Sequence, residues 1–126
     1  MKRPSALPLA LAALTPAVLL AACLSHPPAP IAPYRAFDSA AGWTLVIDDQ
    51  SIHFLADQGR THVIQPTPKP IVGIAGEIYR TPRIGVNIVH AACVDRATGR
   101  SLPDTVQADI DGRRYEGCGD PPAAPR

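Results

Sequence analysis

The chain is poor in aromatic residues, with one Trp, three Tyr and two Phe among 126 residues. So few rings make no stacking platform of the kind that single-stranded nucleic acid uses. An excess of charge is missing too. The formal net charge is +1, and Lys2 and Arg3 precede an apolar N-terminal run, so the remaining body is near neutral. Arg113-Arg114 is the only adjacent basic pair in that body. Neither nucleic acid nor an acidic substrate is therefore an expected partner. Helical apolar stripes are absent as well, apart from room for a single turn near Phe37–Ala41. Fifteen prolines oppose long helices, because proline lacks the backbone donor and clashes with the preceding turn.

Catalytic signatures are also wanting. There is no Gly-x-Ser-x-Gly and no histidine paired with a free cysteine. Ser39, Ser51 and Ser101 sit beside turns, where serine commonly makes local hydrogen bonds. His26, His53, His62 and His90 form neither a helix-spaced pair nor a short chelate, whereas zinc wants three or four ligands in compact spacing. His53 and His62 could face each other across a hairpin, but outward or rim positions are the simpler reading. Asp109-Ile110-Asp111-Gly112 begins like a calcium loop and lacks its later ligands and terminal Glu. No catalytic residue, metal site or cofactor is expected, and the chain reads as non-enzymatic. The alternative, a small periplasmic hydrolase or metal-dependent enzyme, requires His53, His62 or His90 to converge in a pocket.

What is present begins with an address. Lys2 and Arg3 supply a positive start, and Ala6 to Leu20 form an apolar run broken by Pro8 and Pro16. That run is shorter than the ~20 residues of a spanning helix and suits a signal peptide. Its end, Leu20-Ala21-Ala22-Cys23, resembles the lipobox of bacterial lipoproteins. The resemblance implies a diacylglyceryl group on the Cys23 sulfur, cleavage before Cys23 and acylation of the new amino terminus. Two or three acyl chains anchor stably where one binds only marginally. Leu24 stands where Asp usually retains enteric lipoproteins in the inner membrane, which points to the outer membrane, facing the periplasm. Residues 1–22 are thus a lipoprotein signal peptide, and residues 23–33, with Pro27, Pro28, Pro30 and Pro33, a semi-rigid tether reaching ~3 Å per residue. Residues 34–119 form the domain, and residues 120–126, with three further prolines, a flexible tail.

The body alternates with a period of two. Trp43, Leu45 and Ile47 alternate with Thr44 and Val46, and Ile52 and Phe54 flank His53. Ile74, Gly76 and Ile78 alternate with Ala75, Glu77 and Tyr79; Ile84, Val86 and Ile88 with Gly85, Asn87 and Val89; Val106, Ala108 and Ile110 with Gln107 and Asp109. Each pattern marks a strand with one buried face. Asp48-Asp49-Gln50, Asp57-Gln58-Gly59, Thr98-Gly99 and Asp111-Gly112 supply turns, the last a strong hairpin signal. Asp95, Arg96 and Arg100 read as solvated charges around one of them, and Trp43 as core. Six or seven short strands predict an all-β fold, a small antiparallel barrel or sandwich. A body this small needs a staple. With Cys23 lipidated in an oxidising compartment, Cys93 and Cys118 remain to form a disulfide, tying the end of an Ile84–Cys93 strand to the last strand.

The C-terminal third, Cys93-Val94-Asp95 through Leu102-Pro103-Asp104-Thr105-Val106 to Asp111-Gly112-Arg113-Arg114-Tyr115-Glu116-Gly117-Cys118, resembles a family of small bacterial envelope lipoproteins of unknown function. That likeness also implies the Cys93–Cys118 bond and a β-domain, and brings no activity. Ala75-Gly76-Glu77-Ile78-Tyr79, following Ile52 to Asp57, is similar to the Ser-Gly-x-x-Tyr motif of periplasmic inhibitors of c-type lysozyme, with Ala75 in place of the inhibitory Ser. It implies partner binding through Gly76 and Tyr79; otherwise Gly76 is a close-packing strand residue. The expected role is a non-enzymatic binding or structural module, its partner a membrane through the lipid anchor and a periplasmic protein or peptidoglycan.

Overall fold

Alternating residues in the body place one apolar face on each strand, and the chain satisfies those faces by curling a single sheet around them. The structure is a computed structural model; it describes residues 2–5, 8, 12 and 32–123. The expected lipobox with Cys23, most of the expected signal peptide, residues 23–31 of the expected tether and residues 124–126 of the expected tail lie outside the described residues. The strands are β1 (Tyr34–Asp38), β2 (Trp43–Ile47), β3 (Ser51–Ala56), β4 (Thr61–Pro66), β5 (Ile71–Val72), β6 (Gly76–Arg80), β7 (Ile84–Val89), β8 (Cys93–Val94), β9 (Ser101–Leu102), β10 (Asp104–Ile110) and β11 (Arg113–Asp120). Nine form one antiparallel sheet in the order β4-β3-β2-β1-β11-β10-β7-β6-β5, curled into a half-barrel, and β8 and β9 form a small second sheet. The fold is all-β.

Turn chemistry sets the register. Asp111 and Gly112 have φ of 48° and 84°, the left-handed pair that a two-residue hairpin needs to match strand twist. Asp57 and Gln58, also at positive φ, make the β3–β4 turn, where the Thr61 hydroxyl donates to the Asp57 carboxylate at 2.7 Å. Near Phe37–Ala41 a single turn forms, the Gly42 N–H donating to the Asp38 carbonyl at 2.8 Å. Phe37 and Asp38 belong to β1, and the Asp38 carboxylate accepts from the Ala40 and Ala41 N–H groups in the turn that follows.

The concave face carries the core. Trp43, Leu45, Ile52, Phe54, Ile84, Val86 and Val106 are fully buried, each stabilising by about 1.5–3 kcal/mol relative to exposure. Trp43, Phe54 and Tyr115 cluster at one end, with ring centroids 4.7–6.1 Å apart. The inward positions of β11 are Tyr115, Gly117 and Gly119. A Cβ on Gly117 would strike the Phe37 carbonyl and the Trp43 ring, and one on Gly119 the Tyr34 ring and Val106. Those two glycines therefore seat two aromatic side chains.

Three expectations change. The Ile84–Cys93 strand breaks after Val89. The His90 N–H bonds to the Ala75 carbonyl, the Ala91 N–H turns back to Val89, and Cys93 joins the second sheet. The Cys93–Cys118 disulfide is formed, with Cα atoms 5.5 Å apart, and it pins that small sheet to the outer face of β11. Asp95 is not a solvated turn residue. It is buried, accepting from the Thr98 hydroxyl at 2.6 Å and the Ser39 N–H at 3.3 Å. In β6 the inward face belongs to Glu77 and Tyr79, paired with Ile88 and Val86 of β7, while Ile74 lies outside the strand and fully exposed.

Candidate functional site

At the end opposite the aromatic cluster the half-barrel stays open. Here β1, β10 and the connection into β6 begin, and β2, β7 and β11 end. A cleft of about 440 Å³ opens there, with Tyr34, Ile47, Glu77, Tyr79, Ile88, His90 and Asp104 in its walls. Pro33, Pro70, Pro121 and Pro122 line its rim. The β4–β5 connection crosses the mouth, held by the Thr67 N–H on the Gln50 carbonyl and the Thr67 hydroxyl on the Asp48 carbonyl.

Asp104 organises the polar wall. It opens β10 on the buried face, two residues before Val106, and is only 2% exposed. The Tyr34 hydroxyl donates to its Oδ2 at 2.9 Å, and its Oδ1 lies 2.9 Å from His90 Nδ1. His90 Nε2 in turn lies 3.1 Å from Glu77 Oε1. A neutral imidazole donates from one nitrogen only, so two carboxylate partners are both satisfied by the imidazolium. In agreement, the bonds to Asp104 and then Glu77 raise the His90 pKa above its ordinary value. Burial, reinforced by Asp104, pushes the Tyr34 phenol up, and burial followed by the Glu77 charge pushes Tyr79 up. Both phenols stay protonated as donors.

The expected site residues are distributed unevenly. Gly76 and Tyr79 lie in β6. Tyr79 faces the cleft, and a Cβ on Gly76 would strike the Ile88 carbonyl, so Gly76 serves close packing between strands. Ala75 sits in the exposed β5–β6 turn. Of the described histidines, only His90 lines the cleft. His53 and His62 face each other on the outer surface of β3 and β4, centroids 6.1 Å apart, and among the described residues no third ligand completes a metal site. Cys93 and Cys118 are joined to each other, and Cys23 lies outside the described residues. The sequence alone does not single out Tyr34, Glu77 or Asp104. Asp104 carried a signal, because it continues the buried series Asp104-Val106-Ala108-Ile110.

A second groove, about 450 Å³, runs beside the disulfide between β11 and the small sheet. It holds one ion pair. Asp38 meets Arg96 at 2.9 Å; burial opposes its ionisation, yet the Ala41 N–H, Arg96 and the Ala40 N–H hold it below the usual carboxylate range. No protein-family model, curated protein or solved structure matches the chain.

Proposed function

We propose that the protein is a lipid-anchored module of the bacterial envelope that binds a small ligand in the cleft, without transforming it. The lipobox at Leu20–Cys23 supports the anchor. The binding reading rests on one observation, the buried Asp104 carboxylate set with Tyr34 and His90 in the wall of a cleft that also presents Ile47, Tyr79 and Ile88. A concave, mostly apolar site with a few convergent polar groups is the usual form of a small-molecule site. Its volume falls within the range of about 300–1,000 Å³ that such sites occupy. Binding is favoured over catalysis because His90 has both ring nitrogens occupied by carboxylates, leaving neither to take a proton from a nucleophile. The raised phenols of Tyr34 and Tyr79 are hydrogen-bond donors, not nucleophiles.

The test is a fragment screen by NMR on the oxidised protein. Fragments with an apolar body and a hydrogen-bonding head should shift the amides of Tyr34, Glu77, Tyr79 and His90, and Tyr79→Ala should abolish the effect. Shifts confined to the Asp95–Arg96 groove would move the site there and overturn the assignment of the cleft.

A further inference from the structure

The β5–β6 hairpin carries the most exposed apolar side chains of the domain. Ile71 is 60% exposed, Val72 71% and Ile74 fully exposed. β5 is also one of the two edge strands of the sheet. An apolar edge left open to water is a liability that soluble proteins ordinarily cover or charge. Here it lies at a particular place. The hairpin turn is bonded to His90, whose side chain lines the cleft, and Ala32 and Pro33 line that cleft too. The chain therefore enters the domain at the end from which Ile74 projects. Nine positions separate Cys23 from Ala32, a span of at most about 3.6 Å per residue, so a lipid on Cys23 keeps that end within roughly 30 Å of the bilayer.

We infer that the Ile71–Ile74 hairpin is a second membrane contact, its side chains dipping into the lipid interface while the cleft mouth faces the bilayer. The occupant is a lipid surface because the tether delivers this end to one, and the contact is apolar in kind. The other turn at this end carries Asp48 and Asp49, and the Ser51 and Gln50 N–H groups hold Asp48 below the usual carboxylate range. Strongly anionic lipid would repel that turn, so a zwitterionic surface suffices. The inference rests on lipidation of Cys23.

The full lipidated protein, reconstituted into phosphatidylcholine vesicles, tests it. With Cys23 acylated and Cys93 bonded to Cys118, Ile74→Cys offers a single thiol for an environment-sensitive dye, and Gln58→Cys offers one at the opposite end. The dye at 74 should shift to the blue and be quenched by brominated lipid; the dye at 58 should do neither. Ile71→Ser with Val72→Ser should return the dye at 74 towards water. Intact mass reads the anchor independently. Lipid mass on Cys23 with a water-exposed dye at 74 overturns the hairpin contact alone. Absence of lipid mass overturns the anchor, and with it the orientation.

Discussion

The two ends of the half-barrel solve the same packing problem with different chemistry. On β11, Gly117 yields its place to Trp43 and Gly119 yields its place to Tyr34. Trp43 then packs dry against Phe54 and Tyr115. Tyr34 brings a hydroxyl, and the barrel supplies a buried carboxylate, Asp104, to receive it. An apolar ring needs only contact, whereas a phenol at the same depth needs a partner. The partner's charge must in turn be met, and His90 and Glu77 follow from that requirement. One end is consequently a closed core and the other an open polar site.

The largest effects belong to the closed end. Trp43→Ala should cost about 4 kcal/mol, within the range for emptying an aromatic site. Gly117→Ala should approach it, because its Cβ meets the Phe37 backbone, which cannot swing aside as a side chain can. Urea unfolding measures both. A Gly117→Ala protein of wild-type stability would remove the packing argument. Cys93→Ser comes next, at about 3.5 kcal/mol from loop-closure entropy over a separation of 25 residues. Cys118 points away from the core between the two glycines, so this loss should leave the amide shifts of Tyr34 and His90 in place. If they move, the small sheet and the cleft are coupled.

The open end should yield more gently. Gly119→Ala meets the far end of the Tyr34 side chain, which can turn into the cleft, so about 1–3 kcal/mol is expected. Most of that loss should vanish in a Tyr34→Ala background. Tyr34→Phe removes one donor from the buried Asp104 and should cost about 1–3 kcal/mol. Equal costs for Gly117→Ala and Gly119→Ala, with no rescue by Tyr34→Ala, would erase the distinction between the two ends.

The closed end was the legible one. Trp43-Thr44-Leu45-Val46-Ile47 and Ile52-His53-Phe54 state their buried faces by alternation, and Asp111-Gly112 states its hairpin. The open end was illegible for a physical reason. Its inward positions are Tyr34 on β1, Glu77 and Tyr79 on β6, and Asp104 on β10, so polar residues stand where the pattern demands apolar ones. β1 gives no signal because Tyr-Arg-Ala-Phe-Asp shows no apolar alternation, and the sequence exchanges the faces of β6 because Ile74, Gly76 and Ile78 resemble an inner set. The two-residue strands β5, β8 and β9 are too short to show any period. Buried charge in a strand breaks the rule that locates strands, and here it marks the candidate site.

The smallest expected effect is the one most particular to the open end. The bonds to Asp104 and Glu77 raise the His90 pKa above its ordinary value of 6.5. A group whose folded-state pKa is raised adds stability that is complete below the unfolded value and is lost as pH rises through the folded one. The advantage of the wild type over His90→Gln should therefore be full below about pH 6.5 and fade above it. His90 is half exposed, so solvent screens the gain and keeps it small. The Tyr34 and Tyr79 phenols, pushed up by burial, stay protonated across the window and contribute no slope. Urea midpoints at about pH 5.5 and about pH 8.5 compare the two regimes. The gap between wild type and Trp43→Ala should be the same at both, because no charge enters that packing. A gap for His90→Gln that is equally constant would mean that His90 does not bridge the two carboxylates as an imidazolium, and the polar wall would lose its organising cation.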